Sequence, residues 1–144
     1  MTQAEPGPNA DLYRAQLQNA KLAGKDLGGS NLALANLKEA DLTGANLTDA
    51  LVFAAQLGAA NLTNAFLGGA DLSEADLFGA KLENVKARDA DFRRANLALA
   101  NLRGADLTGA SLRDANLHGA DLADAILDDA DLTGAAFSEG EPLA

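Results

Sequence analysis

A chain of 144 residues is long enough for one domain. Its 48% hydrophobic content is ample for a core, but it is nearly all Ala and Leu, with 4% aromatic residues and no Trp. The absence of Cys excludes disulfides, thiolate metal sites and thiol nucleophiles, and a net charge of −10 argues against non-specific binding to nucleic acid, whose phosphates need cations opposite them.

The first element is a lead over residues 1–9. It contains Glu5, Pro6 and Pro8 and lacks the basic start and apolar core of a signal peptide. We expect an N-terminal cap or disordered lead that shields one end of the domain. No run approaches the roughly 18 consecutive apolar residues of a membrane span, so the expectation is a cytoplasmic chain with no membrane partner.

From Ala10 the chain reads ADLYR AQLQN AKLAG KDLGG SNLAL ANLKE, and the five-residue frame holds to residue 139, giving 26 pentads without an insertion. The third residue is Leu in 22 of them, the exceptions being Val52, Ala87, Phe92 and Phe137. The first is Ala in 23, failing at Lys25, Ser30 and Val85, and the second is Asp or Asn in 16. On an α-helix a step of five turns about 500° and spreads the Leu residues around the whole circumference. On a flat strand an odd period throws successive Leu residues onto opposite faces. A bend once per pentad sends every third residue inward, and the chain then winds into a coil with Leu and Ala inside.

Turn chemistry agrees with that bend. Nine of the 14 Gly residues occupy the fifth position, where a type II turn needs a positive φ, and Asn and Asp at the second can bond neighbouring backbone groups. Within the frame, Lys25 conflicts with an inward position and is expected to snorkel to solvent. In the pentad Val85 to Asp89 a larger first residue offsets a smaller third one, Ala87, as close packing demands. Charge is uneven along the chain: net −5 over residues 1–80, +3 over 81–113 and −8 over 114–144. The remaining residues, 140–144, form a C-terminal tail, and Phe137 is expected to plug the final half coil.

The tandem units resemble the pentapeptide repeat family, whose pattern is A(D/N)LXX, over residues 10–139. The resemblance implies an all-β fold: a right-handed quadrilateral parallel β-helix, a solenoid of about six and a half coils with four pentads to each. At a ladder spacing of ~4.8 Å such a rod is roughly 30 Å long. Period five by itself does not give the four sides.

Only second, fourth and fifth positions can then meet a partner. His118 is the only histidine, with no nucleophile identifiable beside it, and reads as a solvated surface residue. Asp121, Asp124, Asp128, Asp129 and Asp131 are the densest carboxylates, but the repeat supplies Asp for its turns and no EF-hand pattern accompanies them. No catalytic residue, cofactor or metal is expected, and the chain reads as a non-enzyme. Apolar residues replace polar ones at Tyr13, Leu34, Leu51, Phe53, Phe66, Phe78 and Ile126. With twenty residues per coil, Tyr13, Ala33, Phe53, Ser73, Arg93, Arg113 and Thr133 form one column, with Leu34 and Leu51 beside its upper half. Aromatic residues and Arg are typical interface anchors. The candidate protein-interaction surface is therefore Tyr13, Leu34, Leu51, Phe53, Arg93 and Arg113.

The residues leave three readings of function. The first is a non-catalytic scaffold that binds a protein partner. The second, implied by the resemblance, is a DNA-mimicking protein that binds gyrase and protects it from quinolones. Against it stand the short segment after the last repeat, the unbroken frame and the basic stretch holding Lys81, Lys86, Arg88, Arg93, Arg94, Arg103 and Arg113. The third is a repeat protein engineered on an ideal frame, which Lys25, Val85 and Ala87 argue against. Unpaired ladder edges at both ends predict an end-to-end homodimer.

Overall fold

The computed structural model describes residues 4–138. The last position of the final pentad and the tail at 140–144 lie outside them. Each pentad contributes one residue, the second, to a parallel bridge, and each bridge joins residues twenty apart, from Asp11↔Asn31 to Asn116↔Ala136. Four pentads therefore make one coil. We name its sides A to D by the pentads beginning at Ala10, Ala15, Ala20 and Lys25.

The pentad Ala60 to Asn64 shows where the backbone donors go. The N–H of Asn61 donates to the Ala40 carbonyl of the preceding coil (3.0 Å), while those of Leu62 and Asn64 donate to Lys81 (2.7 Å) and Glu83 (2.9 Å) of the following coil. The next first-position N–H, that of Ala65, closes a turn on the Leu62 carbonyl (2.9 Å). This leaves the fourth-position N–H, which has no backbone partner. In this pentad Thr63 N–H donates to Asn61 Oδ1 at 3.0 Å. All sixteen second-position Asp and Asn residues accept the same bond from the residue two places on, and that is the physical reason for their enrichment. Thr at the fourth position adds a hydroxyl bond to the same oxygen, as Thr63 does at 2.6 Å.

A positive φ at the fifth position alone gives the type II pattern. All nine fifth-position Gly residues take it, but so does every other described fifth position, Leu34 (φ 60°), Ala59 (57°), Arg94 (59°) and Leu99 (60°) among them. Coil closure imposes the left-handed conformation on whatever residue stands there.

First and third positions are inside. Leu27 through Leu117 form one continuous core in which most side chains are fully covered. Val85 and Ala87 are both completely buried, and the next third-position residue, Phe92, is the largest of the buried side chains. Lys25 is exposed. Toward the carboxy-terminal end Leu122, Leu127, Leu132 and Phe137 pack against the core but are only partly buried.

Of the N-terminal cap or disordered lead expected over residues 1–9, residues 1–3 lie outside the described residues, and Glu5 to Asn9 cover part of the first coil. Asn9 has φ 56°, its N–H donates to the Gly28 carbonyl (2.8 Å), and Ala10 N–H closes a turn on Gly7 (3.2 Å). Glu5 to Asn9 is thus a degenerate pentad on side D. Pro8 occupies the turn position that favours proline, and Pro6 stands where the donor would need a preceding coil.

Candidate interaction surface on side A

Side A carries the apolar substitutions in the densest array. Tyr13 and Phe53 project from the fourth-position column and are 50% and 39% exposed; Leu51, from the second position, is 48% exposed. Leu34 is half-buried in the fifth-position column, and its N–H donates to the Phe53 carbonyl at 2.9 Å. Arg14 lies over the Tyr13 ring, 5.3 Å from its centre. Below Phe53 the surface turns polar: Ser73 is buried and its hydroxyl donates to Asp71 Oδ1 at 2.5 Å.

Arg93 and Arg113 stand in the same column as Tyr13 and Phe53, linked through the ladder bond from Arg94 N–H to the Arg113 carbonyl (2.9 Å). Neither guanidinium is free. Arg93 holds Asp91 through Nε and Nη2 at 2.7–3.0 Å, and Arg113 reaches Asp131 at 3.1 Å. The hydrogen bond from Arg93 holds the Asp91 carboxyl below its usual range. Asp131 is lowered to about 2, first by the Thr133 hydroxyl, then by the Thr133 N–H and Arg113.

The same pairing takes up every arginine of the basic stretch, while Lys81 and Lys86 form no ion pair among the described residues. Arg88 bonds Asp106 (2.9 Å), Arg94 bonds Glu74 (3.0 Å) and Arg103 bonds Asp121 (3.2 Å). Three of the five pairs join a fourth-position Arg to the second-position Asp eighteen residues later, on the next coil. These pairs are exposed, and screening leaves each worth little in stability. Their effect is to remove free positive charge from the surface.

The other substitutions fall elsewhere. Phe66 on side D lies beneath Lys86, whose Nζ is 5.2 Å from the ring centre. Phe78 on side B is 48% exposed and shares that side's turn edge with Leu99, at 59% the most exposed large apolar residue described. Leu99 is missing from the apolar positions named from sequence, although the rule that selects Leu34, an apolar residue at a fifth position, selects it equally. His118 Nδ1 lies 2.6 Å from Asn116 Oδ1 within its own pentad. Among the described residues no three His, Cys, Asp or Glu side chains are placed to share a metal ion.

The sequence matches the pentapeptide repeats family in eight copies, over residues 10–49 and, in overlapping segments, 55–94, 75–114 and 95–134. No curated protein sequence matches significantly. Among solved structures, the pentapeptide repeat protein Rfr23 of the cyanobacterium Cyanothece 51142 is 35% identical, with a TM-score of 0.50, over 67% of this chain and 63% of that one. The chain thus spans less than two thirds of that relative's length. HetL of Nostoc sp. strain PCC 7120, a pentapeptide repeat protein involved in heterocyst differentiation regulation, is 35% identical over 94% of this chain and 78% of its own (TM-score 0.27). QnrB1, a plasmid-mediated fluoroquinolone resistance protein, is 17% identical over 84% of this chain and 81% of its own (TM-score 0.32).

Proposed function

The chain belongs to the pentapeptide repeat family, and from that premise we propose that it is a non-catalytic scaffold whose side A binds another protein. The coil on this reading is right-handed, with about six and a half turns. The observation that carries the proposal is the apolar array of Tyr13, Leu51 and Phe53, each 39–50% exposed, with the half-buried Leu34 on the same side. Exposed aromatic and aliphatic groups gathered on one face mark interfaces more than scattered ones do. Because Arg93 and Arg113 are committed to Asp91 and Asp131, they form a neutral rim rather than a cationic anchor.

The test is capture of a partner by cross-linking from a reporter at Ala33, comparing the intact surface with Leu51→Asp and Phe53→Asp. Both residues are exposed, so the variants should fold. Phe78→Asp on side B is the control. A partner captured by the parent and by Phe78→Asp but not by the side A variants supports the reading. Capture unchanged by Leu51→Asp and Phe53→Asp would refute it, as would no capture by the parent.

One observation favours a second reading, a DNA-like acidic rod that binds gyrase: the five arginines of the basic stretch, which would interrupt a negative face, are all paired with carboxylates. Charge density weighs against it. About 30 Å of duplex carries roughly 18 negative charges, whereas the chain has a net charge of −10. Gyrase supercoiling titrated with the protein separates the two, since inhibition at stoichiometric amounts belongs to the second reading alone.

A further inference from the structure

Side B is the one side of the coil that is almost without charge. Among the described residues its pentads carry only Lys38, Glu39 and Asp76, whereas sides A, C and D carry at least seven charged side chains each. In the four central pentads of side B, beginning at Ala55, Ala75, Ala95 and Ala115, Asp76 is the single formal charge. The same pentads hold Phe78 and Leu99, both exposed. Around them the fourth and fifth columns are low: they hold Gly58, Gly79 and Ala98, and a Cβ at Gly79 would meet nothing within 4 Å.

A chain of net charge −10 repels its own copies, and least where the facing surfaces are uncharged. Two copies meeting about a two-fold axis use the same patch, so that patch must fit itself. With the axis in the contact plane and across the rods, the rods run antiparallel. Each column then faces its own counterpart with the order of coils reversed. An axis midway between the coils of Phe78 and Leu99 sets every large side chain against a small one. Phe78 meets Ala98, itself only 8% exposed, Leu99 meets the open strip at Gly79, and His118 meets Gly58. In the second column Asp76 meets Asn96. Moving the axis by half a coil in one direction puts Asp76 against Asp76. Moving it in the other puts Leu99 against Leu99 and Phe78 against His118.

We infer that side B is a self-association face, on which a second copy of this chain docks antiparallel to form a two-fold dimer. Asp76 sets its affinity. Its Oδ1 already accepts from the Phe78 N–H (3.1 Å) and Asn96 Nδ2 (3.3 Å) of its own chain. The two copies of Asp76 stand one coil apart across the axis, the only like-charge pair in the four-coil contact; Lys38 and Glu39, one coil beyond, carry no net charge. Four coils at ~4.8 Å make a patch about 19 Å long, a small interface, so the dimer comes apart on dilution. The inference uses the middle of the rod alone and is independent of the side A reading.

Sedimentation equilibrium of the full chain, from about 1 μM to about 1 mM, tests it. The mass should rise from 14.7 kDa and level off at two copies. Raising salt from about 10 mM to about 1 M should keep or tighten the dimer, since screening removes only repulsion here. Leu99→Asp places at a fifth position a residue that Asp49 and Asp89 already show to be accepted there, and should weaken the dimer at least about tenfold, or by roughly 1.4 kcal/mol. Asp76→Asn keeps the accepting Oδ1 and should tighten the dimer several-fold, a gain that misfolding cannot imitate. Phe53→Asp on side A should leave the dissociation constant unchanged. The inference is overturned by a parent that stays monomeric throughout, which would leave side B to a different partner, or by a mass that grows past two copies, as end-to-end association would. It is overturned equally by a dimer that salt dissociates, that Leu99→Asp leaves intact, that Asp76→Asn fails to tighten, or that Phe53→Asp weakens as much as Leu99→Asp does.

Discussion

Replacing Ala59 by Gly is expected to stabilise the protein even though it removes a methyl group and loosens the unfolded chain. Ala59 sits at a fifth position with φ 57° and is exposed, so its side chain buries little. An L-residue in the left-handed region costs roughly 1–2 kcal/mol, whereas the extra unfolded freedom of Gly costs about 0.5–1 kcal/mol. The difference favours Gly by about 0.5–1 kcal/mol, or a few degrees in melting temperature for a chain of this size. Ala33→Gly is the internal control: it is a fourth position, outside the positive-φ set, and the same substitution there should cost about 0.5–1 kcal/mol. The reverse change, Gly109→Ala, should cost about 0.5–1 kcal/mol from the left-handed backbone, since the Asp89 carboxylate that a Cβ would meet is the end of an exposed side chain and can turn aside. Chemical denaturation of the three variants settles the matter. If Ala59→Gly destabilises as much as Ala33→Gly, the left-handed fifth position is not a source of strain.

Three further outcomes are tied to particular bonds. Ser30 occupies an inward first position, is fully buried, and its hydroxyl has no partner among the described residues, so Ser30→Ala should raise stability by about 1–3 kcal/mol in a denaturant titration. Asn61→Ala strands the Thr63 N–H and should cost on the order of 1 kcal/mol, while Asn61→Asp, which keeps the accepting oxygen, should be close to neutral. The carboxyls of Asp41, Asp91, Asp106, Asp121 and Asp131 are all lowered in the folded state, so the unfolded chain binds protons first. Their contribution is complete above about pH 4 and is lost as pH falls through the folded values, about 2 for Asp131. Carboxyl NMR titration should show Thr133→Val raising the Asp131 midpoint, since the Thr133 hydroxyl is the first cause of its depression.

What the sequence made legible was what five residues decide among themselves. Leu at the third position, Ala at the first and Gly at the fifth declare an inward bend, and the Val85 and Ala87 exchange confirms which positions face the core. The bond from Asn or Asp to the residue two places on is equally local. Features that depend on the coil were out of reach of period alone. The positive φ at Leu34 and Leu99 contradicts their local preference and is set by closure of the coil. Glu5 to Asn9 lacks the repeat's residues but joins it, because the ladder of side D at Gly28 and Gly29 supplies the geometry. Pairing of Arg88, Arg103 and Arg113 with carboxylates eighteen residues on becomes readable only once the twenty-residue register is fixed. That pairing leaves Lys81 and Lys86 as the cations of the basic stretch without an ion pair among the described residues.

The side A surface exists only because residues twenty apart stand above one another, so the most direct measurement is a distance along that column. Spin labels at Ala33→Cys and Thr133→Cys are separated by five coils, which at ~4.8 Å per coil gives a single distribution near 24 Å plus the reach of the labels. A coil of three pentads would place the same pair more than six turns apart, at about 32 Å and on different sides. The account predicts the shorter, narrow distance, and the longer one, or a broad spread, would contradict it.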